Sequence, residues 1–276
     1  KIQMENKSKY HIKTHIANEP FSISLDATDF KKLNNLKTQL VTNVVIELDK
    51  SFFSKGRAVK NIIRFELIFK GANSKFTRPN NKPIASAGGN EDFDIALNNS
   101  LPNIFFVLES PHRKEFDELL KPKGPAMGNT GESILKYFPS NVLPKMIENN
   151  LDLVEGEKYN FCLINPVPYQ TSLANLYNKG LIENIRNTLW RELFPHTKKD
   201  FIKTMEDYSP VVIINGCTKE FKDEVQQCID QTCPNTQKFS ISHPSSWERT
   251  LRKGNKIGIK FVKAAKKLRT SKKSGK

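Results

Sequence analysis

The sequence predicts an α/β protein of three layers, in which helices cover both faces of a mostly parallel central sheet. Residues 103–108, 160–164 and 210–214 form continuous apolar runs, which are typical of strands buried on both faces. Helix-like stretches separate these runs along the chain. Because buried strands that alternate with helices are the pattern of parallel sheets, we expect an α/β/α arrangement with a β-rich extension at the N-terminus.

Local patterns predict the remaining elements. Shorter strands are expected at residues 239–242 and 256–261, and helices are expected at residues 131–137, 181–193, 201–207 and 218–232. Nearer the N-terminus, candidate strands cover residues 21–25, 41–48 and 62–69, with a short helix within 27–40.

The segment 71–99 is rich in Asn, Gly, Pro and Ser, as loops and linkers are. We therefore place a boundary near residue 85. It separates a β-rich region, 1–85, from an α/β domain, 86–265, which a basic tail, 266–276, follows. An N-terminal extension that packs onto the main sheet would produce the same pattern, and this alternative stays open.

The composition is that of an ordinary globular protein, with 37% hydrophobic and 26% charged residues. No apolar run approaches the ~20 residues that a membrane-spanning helix needs. Residues 1–10 are polar and lack the apolar stretch of a secretory signal. We therefore expect a cytoplasmic protein without a membrane segment.

The four cysteines do not predict a metal centre. They lie at positions 162, 217, 228 and 233, and none of these pairs has the C-x2-C spacing of zinc or iron–sulfur sites. The short distance between Cys228 and Cys233 leaves a weaker site open. We expect no metal and no other cofactor.

The positive charge of the chain is concentrated near its C-terminus. The net charge is +15, and residues 249–276 hold twelve Lys or Arg and no Asp or Glu. Such a segment attracts polyanions by releasing their counterions. Nucleic acid is the first partner to consider. An anionic membrane surface is the second, and a merely solvated tail is the third reading for the final ten residues.

Polar side chains follow each of the predicted buried strands. Glu109 to His112 come after the first strand, Asn165 after the second, Asn215 after the third and His243 after the fourth. Proline follows Glu109, Asn165 and His243 within two residues and stiffens each turn. Because functional residues cluster beyond the carboxyl ends of parallel strands, these side chains predict one common cleft.

This array resembles the uracil-DNA glycosylase superfamily, above all its branches whose first motif reads G-E-x-P-G. Residues 108–112 (LESPH) match that motif, and residues 124–131 (GPAMGNTG) resemble the G-x-P-F-x-G-x-x-G loop that leads into a helix. Residues 163–165 (LIN), 211–216 and 242–246 (SHPSS) resemble the later motifs in the same order. The resemblance covers roughly residues 100–265.

The resemblance implies the roles of several residues in base excision. Glu109 would stabilise the oxocarbenium-like sugar or orient water, and His243 would hydrogen-bond a carbonyl oxygen of the departing base. Asn165 would read the edge of a flipped base in double-stranded DNA. Trp247 would fill the vacated stack, and Gly124, Gly128, Ser245 and Ser246 would approach phosphates. Arg249, Arg252 and Lys253 would add basic contacts to DNA.

Structural readings of the same residues remain open. Glu109 could be a helix-terminal acid or half of an ion pair, His243 a plain His-Pro turn, and Asn165 a partner for turn backbone. Trp247 could belong to the core. His112 has a counterpart only in the D-P-Y-H form of the motif, where it would lie near the base.

The sequence departs from the family at the base-stacking position. Ala126, with Met127 beside it, replaces the usual Phe, which removes roughly 1–3 kcal/mol of stacking and leaves room. We therefore expect Ala126 and Met127 to line a pocket for a bulky pyrimidine, such as hydroxymethylated or glucosylated cytosine of phage DNA. A monomeric phage-defence glycosylase is the resulting hypothesis.

Two other functions stay open at this point. One is a repair glycosylase for uracil or another deaminated base, and the other is a nucleic-acid-binding module without catalysis. An α/β hydrolase is disfavoured because the chain has no G-x-S-x-G elbow.

Overall fold

The computed structural model describes residues 9–16, 19–26, 43–47, 53, 55–79, 95–117, 121–171 and 185–262. The predicted helix within 27–40 and the basic tail 266–276 lie outside the described residues. So does most of the predicted linker.

The described strands and helices follow one another as a β-rich part and then an alternating part. The strands are β1 (Lys9–Ile16), β2 (Glu19–Asp26), β3 (Asn43–Glu47), β4 (Ile62–Ile68), β5 (Lys75–Thr77), β6 (Asn103–Val107), β7 (Lys158–Ile164), β8 (Val212–Asn215), β9 (Gln237–Ile241) and β10 (Ile259–Val262). The helices are α1 (Asn129–Tyr137), α2 (Leu143–Glu148), α3 (Ile185–Tyr208), α4 (Lys219–Thr232) and α5 (Trp247–Arg252), with a π-helical turn, Phe138–Val142, between α1 and α2. The predicted apolar strands and most of the predicted helices are therefore confirmed.

A seven-stranded mixed sheet forms the centre of the α/β part, in the order β10-β9-β8-β6-β7-β4-β5. Strands β9, β8, β6 and β7 run parallel, while β10, β4 and β5 are antiparallel to their neighbours. The central sheet is therefore mostly parallel in its middle, as predicted.

The boundary near residue 85 does not coincide with an edge of this sheet. Strands β4 and β5 precede residue 85, yet β4 pairs with β7 along its length and β5 pairs with β4. Residues 62–77 thus extend the main sheet, which is the alternative that the sequence left open. Strands β1, β2 and β3 form a separate three-stranded sheet in the order β2-β1-β3.

Successive side chains of β6 point to opposite faces of the sheet and enter two different cores. Phe105 and Val107 pack with residues of α3 and α4, including Trp190 and Phe221. Ile104 and Phe106 pack with residues of α1 and α2 and with Trp247. Helices therefore cover both faces, because every β6 side chain is apolar or buried and needs a partner on its own side.

Two predicted helices form one continuous helix. The sequence predicts separate helices at 181–193 and 201–207. The structure carries α3 from Ile185 to Tyr208 with Pro195 inside it. Burial of Trp190 and Leu193 before the proline and of Phe201 and Met205 after it fixes the whole helix on the sheet.

The strand order changes direction at β6, which fixes where a cleft can form. From β6 the chain moves to β7 on one side, and then it crosses by α3 to β8 on the other side. At such a switch point the loops that leave neighbouring strands diverge and leave a crevice at their carboxyl ends. The loops after β6 and β8, which hold Glu109 and Thr218, border this crevice.

Gly216 allows β8 to turn tightly against β6. A Cβ atom at this position would lie 2.6 Å from the ring of Phe106, and the Gly216 N–H donates to the Val107 carbonyl at 2.9 Å. Any side chain here would push against the centre of the core.

We expect Gly216→Ala to lower the free energy of unfolding by about 1–3 kcal/mol, because the added methyl overpacks a dense interior. Gly258→Ala is the matched control, since a Cβ there meets no atom within 4 Å. Urea denaturation monitored by circular dichroism measures both variants. Equal stabilities for the two would contradict the packing argument.

Candidate active site at the carboxyl ends of the central strands

Glu109 lies directly beyond β6, and its carboxylate is buried with 5% of the residue exposed. The Thr218 N–H donates to Oε2 at 2.8 Å, and the Arg186 Nη2 group donates to Oε1. The Trp190 indole N–H donates to the Glu109 carbonyl at 2.8 Å. Both carboxylate oxygens thus act as acceptors, and the side chain is held from α3 and from the residue that precedes α4.

Arg186 is a site residue that the sequence did not reveal. It lies in the first turn of α3, forms a salt bridge with Glu109 and stacks its guanidinium 5.2 Å from the centroid of the Phe221 ring. One Arg in a predicted amphipathic helix carries no signal of its own. Only the packing of α3 and α4 on the same face of the sheet brings it to the carboxylate.

His243 follows β9 and lies close to Glu109. Its Nε2 lies 3.8 Å from Glu109 Oε2, which is beyond hydrogen-bond distance. Burial lowers the pKa of His243; the Glu109 carboxylate opposes this effect, and Arg186 and Lys222 add to it. The imidazole is therefore neutral at pH 7.

The tautomer of His243 follows from its neighbours in the turn. The Ser245 backbone N–H points at Nδ1 at 3.2 Å, and the Ser245 hydroxyl lies 2.8 Å from the same atom. Because a backbone N–H can only donate, Nδ1 is the acceptor and the proton is on Nε2. The Nε2–H donor is thus directed toward the crevice.

Asn165 lies beyond β7 with 4% of the residue exposed, and among the described residues its side chain has no hydrogen-bond partner at either the amide nitrogen or the oxygen. Its backbone N–H donates to Asn61 Oδ1 at 2.9 Å. Turn backbone therefore does not occupy the side-chain amide, which removes one structural reading of this residue. Buried amides without partners are costly and rare, so this one is available to a ligand.

Other buried asparagines of the sheet show the contrast. Three of them donate to protein acceptors through their side-chain amides. The shortest of these hydrogen bonds are 2.9 Å for Asn103, 3.2 Å for Asn160 and 3.0 Å for Asn215. These three tie strands and loops together, whereas Asn165 does not.

Ala126 is not positioned as predicted. It is fully buried in the core and presents no surface to a base, so the prediction that it lines a pocket is wrong. The cause is backbone geometry: Ala126 has a positive φ of 55°, and a Cβ at Gly131 would lie 2.0 Å from the Ala126 carbonyl oxygen. Met127 is 9% exposed with its sulfur 3.2 Å from the Arg64 guanidinium, and its contact with a base stays a prediction.

Trp247 belongs to the core, so its prediction as a wedge for DNA is also wrong. The residue is 0% exposed, its ring packs edge-on against Phe106, and its indole N–H donates to the Ser242 carbonyl at 2.8 Å. An indole committed to both contacts cannot enter a duplex without unpacking α5.

The remaining predicted DNA contacts divide between turn and surface. Ser245 and Ser246 hold the His243 turn, the latter through a hydroxyl that donates to the His243 carbonyl at 2.7 Å. Arg249, Arg252 and Lys253 are exposed at α5, where Arg252 pairs with Glu248 at 2.6 Å.

The remaining predicted site residues lie around the loop before α1. Gly124 is buried and Gly128 is the N-cap of α1. His112 has an exposed side chain whose partial desolvation, followed by the charges of Lys114 and Arg186, lowers its pKa.

A second buried carboxyl, Glu115, supports the loop before α1. Backbone N–H groups of His112 and Ala126 bond to it, and the buried Arg64 guanidinium lies nearby. Burial nevertheless dominates and raises the pKa of Glu115 to about 8, while burial lowers the pKa of Arg64 to about 10. The loop from Gly124 to Gly128 therefore packs over two buried ionisable groups, Glu115 and Arg64.

No protein-family model, no curated protein and no solved structure matches this chain. Within the described ranges, none of the helices combines the length and apolar character that a bilayer-spanning helix requires. Across the same residues, no group of three or more His, Cys, Asp or Glu is placed to hold a metal ion.

We expect Asn165→Ala to lower the free energy of unfolding far less than Asn160→Ala, although each substitution removes a buried side-chain amide. The Asn160 substitution breaks hydrogen bonds inside the sheet and should cost about 1–3 kcal/mol of unfolding free energy more. Chemical denaturation of the two variants measures the difference. If the Asn165 variant is equally destabilised, the Asn165 amide has a structural role.

We expect Glu115→Gln to flatten the pH dependence of stability. The carboxyl ionises near 4.5 in the unfolded chain but only near 8 in the folded one, so the folded protein loses stability as pH rises between these values. Relative to the wild type, the variant should gain on the order of a few kcal/mol between pH 5 and 9. Glu132→Gln, on the exposed face of α1, is the control. Parallel pH profiles for wild type and Glu115→Gln, measured by denaturation, would contradict this assignment.

Proposed function

We propose that this protein is a DNA glycosylase that hydrolyses the N-glycosidic bond of a flipped base and leaves an abasic site. One observation carries the proposal: a buried carboxylate, Glu109, and a neutral imidazole, His243, meet at 3.8 Å from segments far apart in sequence. A uracil-DNA glycosylase-like fold is part of the same proposal, and the strand order with its crevice beyond β6 and β8 supports it.

Glu109 has the properties needed on the sugar side of the bond. As the base leaves with the bonding electron pair, the deoxyribose becomes an oxocarbenium-like cation. A carboxylate held in a buried, pre-arranged position stabilises that cation without reorganisation. Water then adds to C1′, and its proton passes to the carboxylate or to solvent.

His243 has the properties needed on the base side. Its protonated Nε2 is not bonded to Glu109 at 3.8 Å, so the N–H can donate to a carbonyl oxygen of the base as negative charge grows there. The Ser245 N–H keeps the other ring nitrogen as an acceptor and so keeps the required tautomer.

Asn165 supplies the recognition step. An unpartnered buried amide carries one donor group and one acceptor, which together match the Watson–Crick edge of a pyrimidine. A ligand that satisfies both atoms removes a standing cost of the free protein. That gain favours the extrahelical base over the stacked one.

The substrate we propose is a modified pyrimidine, such as hydroxymethylated or glucosylated cytosine. The loop before α1 supports this choice, because residues 121–128 offer no aromatic ring to stack on a plain base. Mass spectrometry of bases released from normal and base-modified phage DNA tests it. Release of uracil alone would favour a repair glycosylase.

We expect Glu109→Gln to lower the rate of base release by about 10²–10⁴-fold while DNA binding is retained. Base release is measured as alkali-labile sites, and binding is measured on a duplex with a tetrahydrofuran abasic-site analogue. Glu132→Gln, exposed on α1, is the control and should keep full activity. An active Glu109→Gln enzyme would refute the catalytic role, and a wild type that binds but never releases a base would indicate a binding module.

A further inference from the structure

A cavity of about 320 Å³ lies at the same edge of the sheet as Asn165, between the segment before β4 and the loop before α1. Its size is at the lower end of ligand pockets, which span about 300–1,000 Å³. Lys55, Lys60 and Lys123 line it, together with Gly56 and Gly124.

Two hydrogen bonds connect this cavity with the base-recognition residue. The Val59 N–H donates to the Pro168 carbonyl at 2.8 Å, and Asn61 accepts from the Asn165 N–H at 2.9 Å. The segment that carries Lys55 and Lys60 is therefore fixed beside the loop that carries Asn165. On the opposite wall, the Lys123 N–H donates to the Glu115 carbonyl at 2.8 Å.

The lining of the cavity has the chemistry of an anion site. Its charged residues are all lysines, and within the described part of the chain none of the three forms an ion pair with a carboxylate. The lining contains no aromatic ring on which a base or a hexose could stack. Lysine ammonium groups bind phosphate as point charges, and glycines let the backbone approach it closely.

We propose that this lysine cavity, defined by Lys55, Lys60 and Lys123, binds one backbone phosphate of the DNA strand that carries the flipped nucleotide. The inference rests on the proposed function and extends it to the positioning of the strand. Holding a phosphate beside Asn165 fixes the register of the strand, so that the neighbouring nucleotide enters the crevice.

The test uses the full chain and a duplex with a tetrahydrofuran abasic-site analogue, which needs no knowledge of the excised base. The variant is Lys55→Gln/Lys60→Gln/Lys123→Gln. Loss of one phosphate contact should reduce the slope of log K against log salt concentration by about 0.9. Lys75→Gln is the control, because Lys75 pairs with Ile68 at the other end of β4; its slope should equal that of the wild type.

A second arm identifies the phosphate. Single methylphosphonates, which are neutral, replace the phosphates around the analogue one position at a time. At one position the replacement should abolish the difference in affinity between wild type and triple variant, and elsewhere the difference should persist. If it persists at every position, a backbone phosphate does not occupy the cavity.

The outcomes separate this inference from the proposed function. An unchanged salt slope in the triple variant, with normal base release by the wild type, overturns the cavity assignment alone. A reduced slope with a position-specific methylphosphonate effect, but no base release from any DNA, overturns the glycosylase and upholds the phosphate site. Thermal unfolding of the triple variant at the wild-type temperature confirms that the fold is intact.

Discussion

The buried carboxylate of Glu109 is the group on which the arrangement of the strand ends depends. A charge with only a few per cent of its surface exposed is stable only if donors surround it, and here they come from Arg186 on α3 and from the Thr218 N–H after β8. Each donor belongs to a different connection between strands. The carboxylate therefore couples α3 to the loop after β8, and removing it would leave the half-buried Arg186 guanidinium without its ion-pair partner.

The two buried carboxyls near the crevice have opposite surroundings. Glu109 accepts from a guanidinium and a backbone N–H, whereas burial raises the pKa of Glu115 to about 8 despite two backbone donors. Two carboxyl groups in such different surroundings can have different roles, although their chemistry is the same. Glu109 lies beside His243 at the strand ends, whereas Glu115 accepts a hydrogen bond from the Ala126 N–H in the loop before α1.

The Asn165 amide is one of the buried polar groups that have no hydrogen-bond partner among the described residues. By contrast, the side-chain amides of Asn103, Asn160 and Asn215 all have partners within the sheet and its loops. Proteins retain such costs at sites of function, where binding repays them. The lysine cavity beside Asn165 also contains uncompensated polar groups, because its lining holds three lysines and no carboxylate.

The sequence by itself determined the central strands, their alternation with helices, and the residues that stand at the strand ends, but it did not predict β1 or β5. A continuous apolar run such as 103–108 is typical of a strand that is buried on both faces, so the local pattern is enough to predict this strand. The same reasoning names Glu109, Asn165 and His243, since the carboxyl ends of parallel strands share one edge. Only the tertiary structure decided which other side chains reach that edge. Arg186 contacts Glu109 because α3 and α4 pack on the same face of the sheet. Trp247 lies in the core because Phe106 packs against its ring and the Ser242 carbonyl accepts from its indole N–H. Ala126 is buried on a backbone with a positive φ, beside Gly131. Each of these outcomes depends on contacts between elements distant in the chain, which no local pattern of residues records.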